Sequence, residues 1–159
     1  MPISQLGDEH PKVSDTWHNL GIAFSCSGNY LVAEEYFKKS LAIRLKTFGR
    51  LHSTVAYSYL CLGIVYAIEG DYYWALEHFQ QALYIYSKTF GQVHPTIAKC
   101  YLNMGAAYFS KGDYDIALEY DQRALSMMLK TDGSDNLGMA MIYNNIAGIY
   151  VVKGELDKS

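Results

Sequence analysis

Apolar residues recur at steps of three and four along the chain, which is the spacing that places side chains on one face of an α-helix. Val13, Trp17 and Leu20 follow this spacing, and Tyr30 begins a second stretch of the same kind. Between such stretches lie short polar segments that contain glycine. The pattern predicts seven helices, near residues 11–27, 30–48, 53–69, 72–90, 95–111, 114–131 and 137–153.

The helical pattern repeats every 42 residues. The segments GNYLVAEEYF, GDYYWALEHF and GDYDIALEYD begin at Gly28, Gly70 and Gly112, and Gly154 is in phase with them. One pair of amphipathic helices buries its apolar face only by stacking against another pair. We therefore predict an all-α fold, an α-solenoid of antiparallel helix pairs that spans residues 1–159 as one array. Its units are three full repeats and a truncated fourth, near residues 7–48, 49–90, 91–132 and 133–159.

Glycine and proline mark the predicted turns. Inside each unit, a Gly-Asn or Gly-Asp pair predicts a left-handed glycine after the first helix and an N-cap side chain for the second. Between units, His10-Pro11 and His94-Pro95 place proline in the first turn of a helix, where its missing N–H costs nothing. Further turns are predicted at Gly49, Gly91 and Gly133.

The third unit departs from the other two at one packing position. Asp121 stands where Phe37 and Phe79 stand in the first two units. We expect Asp121 to turn to solvent while Tyr120 fills its place, and the alternative is that the carboxylate is buried against a donor.

The first unit resembles the tetratricopeptide repeat (TPR) family in Trp17, Leu20, Gly21, Phe24, Ala33 and Phe37. The length of the unit and the FGxxHP segment between units are similar to the longer form of the repeat in kinesin light chains and nephrocystin. This resemblance implies a right-handed superhelix that takes part in protein–protein interactions. It also implies that the first helix of each unit lines a concave groove.

We predict that this groove binds a peptide segment of a partner protein. Its residues on the first helices are Asp15, His18, Asn19, Ile22, Tyr57, Leu60, Cys61, Ile64, Lys99, Leu102, Asn103, Ala106, Asn144 and Asn145. Asn19, Asn103 and Asn145 occupy the same position in their units, and a carboxamide can both donate to and accept from a peptide backbone. The alternative is that these asparagines are solvated. Lys99 is the only strongly basic residue of this set, so we expect no clamp for an acidic tail.

Charge and cysteine content exclude several other classes of partner. The net charge is −3 and no basic block is present, which argues against nucleic acid as a partner. No apolar run is long enough for a membrane span, and none near the start suits a signal peptide. Cys26, Cys61 and Cys100 have no CxxC spacing. We therefore expect a cytoplasmic protein with reduced thiols.

We predict no enzymatic activity, no metal and no cofactor. His10, His52 and His94 recur once per unit at helix entrances, too far apart to bind one metal ion. His18 and Cys26 are eight residues apart on one helix, beyond hydrogen-bond reach of each other.

A second function remains open beside peptide binding, namely a scaffold or self-association fragment of a larger multidomain protein. Gly154 is expected to start a helix that is too short to cover the preceding one, so Ile146, Ala147 and Tyr150 would be exposed. We expect the chain to be a fragment that dimerises, or packs end to end, through its last helix. The alternative is that this helix frays and the chain stays monomeric.

Overall fold

The computed structural model describes residues 10–131 and 136–158, and within these ranges the chain forms seven α-helices and no strand. The helices are α1 (Pro11–Cys26), α2 (Tyr30–Phe48), α3 (Ser53–Ile68), α4 (Tyr72–Phe90), α5 (Pro95–Lys111), α6 (Tyr114–Lys130) and α7 (Asn136–Asp157). The seven predicted helices are confirmed, whereas the predicted turn at Gly133 lies outside the described residues. In these ranges, no helix has both the length and the apolar character that a membrane span requires.

The chain divides into two compact units, Met1–Ile85 and Tyr86–Ser159, with the boundary inside α4. In the first unit, α1 packs against α2 and α2 against α3. Its core includes Ala33, Phe37, Leu62 and Val65. In the second unit, α5 packs against α6 and α6 against α7. Its core includes Ala98, Ala124, Met128 and Ile142.

The predicted glycine turns inside the units are confirmed, but not all of the predicted caps. Positive φ angles occur at Gly28 (87°), Gly70 (87°) and Gly112 (95°). The side chains of Asn29 and Asp113 do not cap the next helix, so this part of the prediction is wrong. Their polar groups bind nearby side chains instead: the Asn29 amide donates to Ser27 Oγ, and Asp113 pairs with Lys111 Nζ at 3.3 Å.

Histidine side chains cap the first helix of each of the first three repeats, namely α1, α3 and α5. The Nδ1 atoms of His10, His52 and His94 each accept from the backbone N–H two residues further on, at 3.1 Å. The rings of His52 and His94 also stack on the phenylalanine four residues before them, with centroids 4.3 Å apart. The recurrence of these histidines is therefore explained by helix capping.

The last helix differs from its prediction. α7 continues through Gly154 to Asp157, so the expected turn and new helix at Gly154 are wrong. In the other three repeats, the corresponding glycine precedes Asn or Asp and then Tyr. Gly154 precedes Glu155 and Leu156, which are strong helix formers, and neither provides the short polar side chain that favours a new N-cap.

Candidate functional site

In the first unit, the predicted groove residues lie on α1 and α3 at different depths. Four are exposed: Asp15, Asn19, Ile22 and Tyr57. Two are half-buried: Cys61 and Ile64. Two are buried: His18 and Leu60. A ligand on this face would meet the exposed four, while the buried pair lies beneath them.

Arg44 of α2 joins these two helices from below. Its Nη2 atom lies 3.2 Å from Asp15 Oδ1, and its Nη1 atom lies 3.3 Å from His18 Nδ1. Nη1 also donates to Ser58 Oγ at 2.9 Å and to the Thr54 carbonyl at 3.3 Å. Of the three guanidinium nitrogens of Arg44, Nε is the one that has no acceptor among the described residues. The buried guanidinium is stabilised by these acceptors, and it links α1, α2 and α3.

The contacts of Arg44 determine the state of His18. A guanidinium only donates, so His18 Nδ1 must accept and the proton of the neutral ring lies on Nε2. Nε2 is 3.8 Å from Cys61 Sγ, and the ring centroid is 4.8 Å from that of Tyr57. Burial, and secondly the charge of Arg44, lowers the pKa of His18 to about 4, although Asp15 opposes this. His18 is thus a neutral ring packed beneath the exposed face.

Sequence reasoning missed Arg44 because the repeat pattern does not mark it. The equivalent positions in the second and third repeats are Tyr86 and Met128, which are buried but uncharged. The distance of 26 residues from His18 also lies outside any helical spacing. An arginine on the buried face of a predicted amphipathic helix was the available signal.

Cys61 and Cys100 are not reactive thiols. Burial raises the pKa of Cys61 to about 11 and that of Cys100 to about 12. Both therefore remain thiols at neutral pH, and a thiol is a poor nucleophile and metal ligand. Within residues 10–131 and 136–158, no group of three or more His, Cys, Asp or Glu side chains is arranged to bind a metal ion.

In the second unit, the predicted groove residues lie on α5 and α7. Four are exposed: Lys99, Ala106, Asn144 and Asn145. Two are half-buried: Leu102 and Asn103. The Asn103 amide donates to the Lys99 carbonyl at 3.0 Å, so it is partly used within its own helix. Asn145 is the more accessible of the two asparagines of this unit that occupy the repeat position of Asn19.

A cavity of about 250 Å³ opens between α5, α6 and α7. Its lining residues are Gly105, Ala106, Phe109, Ser110, Asp121, Asn144, Asn145, Gly148 and Ile149. Three of the predicted groove residues, Ala106, Asn144 and Asn145, are exposed at its rim, whereas Asp121 and Ile149 are buried. The cavity thus leads from the predicted face into the interior of the second unit.

Asp121 is buried in this cavity, with 2% of its surface exposed, so the expectation that it turns to solvent is wrong. The reason is its position on α6, where its side chain is directed against Gly105 of α5. Tyr120 faces another way and stacks on Tyr108, with centroids 5.5 Å apart. The alternative of burial against a donor is not fulfilled either, because Oδ1 has no hydrogen-bond partner among the described residues. Burial raises the pKa of Asp121 to about 6.

Comparisons with known proteins agree with this architecture. The profile of the tetratricopeptide repeat matches residues 3–46, 54–130 and 101–159. The crystal structure of BtubC (BKLC) from P. vanneervenii is similar with a TM-score of 0.83 and 20% identity, over 93% of this chain and 59% of that one. This chain therefore spans about three fifths of the length of BtubC.

Two crystal structures of a putative kinesin light chain from Podosopora anserina, with nearly identical TPR-like repeats, are also similar. Their TM-scores are 0.78 and 0.77 at 24% identity, over 98% of this chain and 73% and 74% of theirs. No curated protein sequence matches the chain. The expected similarity to TPR proteins of the kinesin light chain kind is confirmed.

Proposed function

The chain belongs to the tetratricopeptide repeat family, whose repeats generally mediate protein–protein interactions, and we propose that it binds a peptide segment of a partner protein. The repeat fold is typically a non-catalytic interaction module. The observation that carries the proposal is the cavity of the second unit, because Ala106, Asn144 and Asn145 border it. These residues were predicted as ligand contacts from their repeat positions together with the resemblance to TPR proteins.

The chemistry of this rim suits an extended peptide. The exposed carboxamides of Asn144 and Asn145 can donate to a carbonyl and accept from an N–H, whatever the side chains of the ligand are. Ala106 has a small side chain and leaves room for a backbone to approach. Alternate side chains of an extended peptide point to one side, so one of them can enter the cavity.

The first unit offers a second contact surface for a peptide. Asn19, Ile22 and Tyr57 are exposed on α1 and α3, and they combine an amide, an aliphatic and an aromatic side chain. Arg44 fixes the exposed Asp15 through an ion pair, and His18 supports the ring of Tyr57 from below. We propose that this surface contacts apolar side chains of the ligand. The free cysteines are consistent with a reducing compartment, and the cytoplasm is our proposed location.

The test is selection from a randomised library of 12-residue peptides displayed on phage, with the purified chain immobilised. Peptides that bind, and that are displaced by the soluble chain, support the proposal. If repeated selections enrich no sequence, the chain is not a peptide-binding module of the proposed kind.

Self-association is the second candidate function, and the exposed apolar residues of α7 favour it. Tyr143 and Tyr150 are 53% and 54% exposed, and their spacing of seven residues places them on one helix face with the exposed Ala147. An exposed apolar face of this kind marks an interaction surface. The proposed occupant is the same face of a second copy, related by two-fold symmetry.

Sedimentation equilibrium tests this second candidate. We expect a concentration-dependent dimer that the double variant Tyr143→Glu/Tyr150→Glu abolishes. Tyr73→Glu on α4, where the tyrosine is 67% exposed, is the matched control and should leave the dimer intact. A monomer at high micromolar concentration for the unaltered chain would exclude self-association.

A further inference from the structure

The cavity of the second unit occupies the place where the other repeats carry an aromatic ring. In the first two repeats, Phe37 covers Gly21 and Phe79 covers Gly63, with ring carbons 2.6–2.7 Å from the position of an added Cβ. In the third repeat, the equivalent glycine faces the carboxyl group of Asp121 instead. A short acidic side chain therefore replaces a large apolar one at a buried contact, and an open cavity accompanies it.

The carboxyl group of Asp121 has no counter-ion in this cavity. No lysine, arginine or histidine is among the described residues that line it. Nearby cations of the second unit are paired elsewhere: Lys111 with Asp113, Arg123 with Glu119 and Lys153 with Asp115. A buried carboxylate without a partner is costly, so a ligand that brings a positive charge would remove a penalty that the free chain carries.

We propose that this cavity binds the side chain of a lysine or arginine from the partner peptide, with Asp121 as the counter-ion. This inference rests on the proposed function, since the same peptide lies across the rim. The side-chain oxygens of Asn144 and Asn145 accept further hydrogen bonds from the cationic group. The methylene stem of the ligand residue packs against Phe109 and Ile149.

Two features favour a peptide side chain over a small cation. The volume of about 250 Å³ far exceeds the roughly 10–15 Å³ that a single water-sized occupant needs. The lining holds one carboxylate, whereas a divalent metal site of oxygen ligands uses several. A lysine or arginine side chain has a long flexible stem and a terminal charge. These suit a cavity with the carboxyl group of Asp121 at its buried end and the amides of Asn144 and Asn145 at its opening.

The first test compares peptides selected by the unaltered chain and by Asp121→Asn. We expect lysine or arginine to be enriched at one fixed position by the unaltered chain, and this enrichment to disappear with Asp121→Asn while the other positions keep their preferences. Peptides without a basic preference, or with the same preference for both chains, would overturn the inference and leave the proposed function intact. Failure to select any peptide would overturn both.

The second test is a double-mutant cycle by fluorescence anisotropy with one selected peptide. Replacing its basic residue by methionine should weaken binding to the unaltered chain about 10- to 100-fold. The same replacement should have little effect on binding to Asp121→Asn. Peptides with lysine and with arginine at that position distinguish the two cations.

The control variant is Glu119→Gln, which removes an exposed charge from the same helix. It should respond to the methionine replacement as the unaltered chain does. Circular dichroism verifies that Asp121→Asn is folded, which we expect because the exchange preserves shape and removes a buried charge. If Glu119→Gln and Asp121→Asn lower the basic preference equally, the effect is one of net charge and the assigned site is wrong.

Discussion

Phe79 lies over Gly63 so closely that a Cβ on the glycine would stand 2.6 Å from Cε1 of the ring. The same added Cβ would lie 3.2 Å from the carbonyl oxygen of Ala75. The backbone on one side and a fully packed ring on the other leave no space for a side chain. The repeated glycine therefore sets the distance between the two helices of a repeat.

Substitution of Gly63 tests this contact. We expect Gly63→Ala to lower the free energy of unfolding by about 1–3 kcal/mol, because the ring or the helix must move. Urea unfolding monitored by circular dichroism measures the change. Gly148→Ala is the matched control, since a Cβ there meets nothing within 4 Å. It should raise stability by about 0.5–1 kcal/mol.

Substitution of Asp121 tests the link between the cavity and stability. Asp121→Phe restores the residue of the first two repeats, fills apolar space and removes an unpaired carboxylate. We expect it to raise the free energy of unfolding by about 1–3 kcal/mol at pH 7.5. Asp115→Phe places the same ring at an exposed position of α6, and should give no such gain. A loss of stability with Asp121→Phe would mean that the third repeat does not pack as the second does.

The helices could be predicted from the sequence because glycine, proline and apolar residues recur in phase with one another. The turn at Gly154 was predicted wrongly because phase alone does not end a helix: the next residues must also favour a new one, and Glu155 does not. Asp121 was predicted wrongly because side-chain polarity was given more weight than helix register. A residue whose backbone position faces the neighbouring helix is buried even when burial is costly.

The predicted groove stays a prediction as a binding site, and the structure adds the depth at which each of its residues lies. Repeat position places Asn144 and Asn145 on the exposed side of α7, where the structure has them. It cannot reveal that Arg44 of α2 contacts His18 of α1, since that contact occurs in one repeat only. The cavity beside Asp121 depends on one altered residue, and its volume depends on side chains from three helices.

The protonation of His18 gives a pH prediction. Its pKa of about 4 in the folded chain is below its ordinary value of 6.5. Between these values the unfolded chain binds more protons than the folded chain. The contribution of His18 to the free energy of unfolding is therefore complete above pH 6.5 and is lost as the pH falls towards 4. We expect the imidazole proton resonance of His18, assigned with His18→Gln, to be constant from pH 8 to about pH 5. A midpoint near 6.5 would show that the ring is neither buried nor beside Arg44.

The acid dependence of stability gives an independent check on His18. The difference in unfolding midpoint between the unaltered chain and His18→Gln should narrow as the pH is lowered from 7 to 4. Glutamine keeps an acceptor for Arg44 but does not titrate. A difference that is constant over this range would contradict the lowered pKa of His18.

The most direct test of peptide binding by this chain is a titration of a library-selected peptide against Asn145→Ala. Asn145 is exposed at the rim of the cavity, so we expect the dissociation constant to rise about tenfold through the loss of hydrogen bonds to the peptide backbone. The control is Gln122→Ala, which removes an exposed amide from α6, away from the cavity, and should leave affinity unchanged. Equal affinity of both variants and the unaltered chain would contradict peptide binding on the α5 and α7 face.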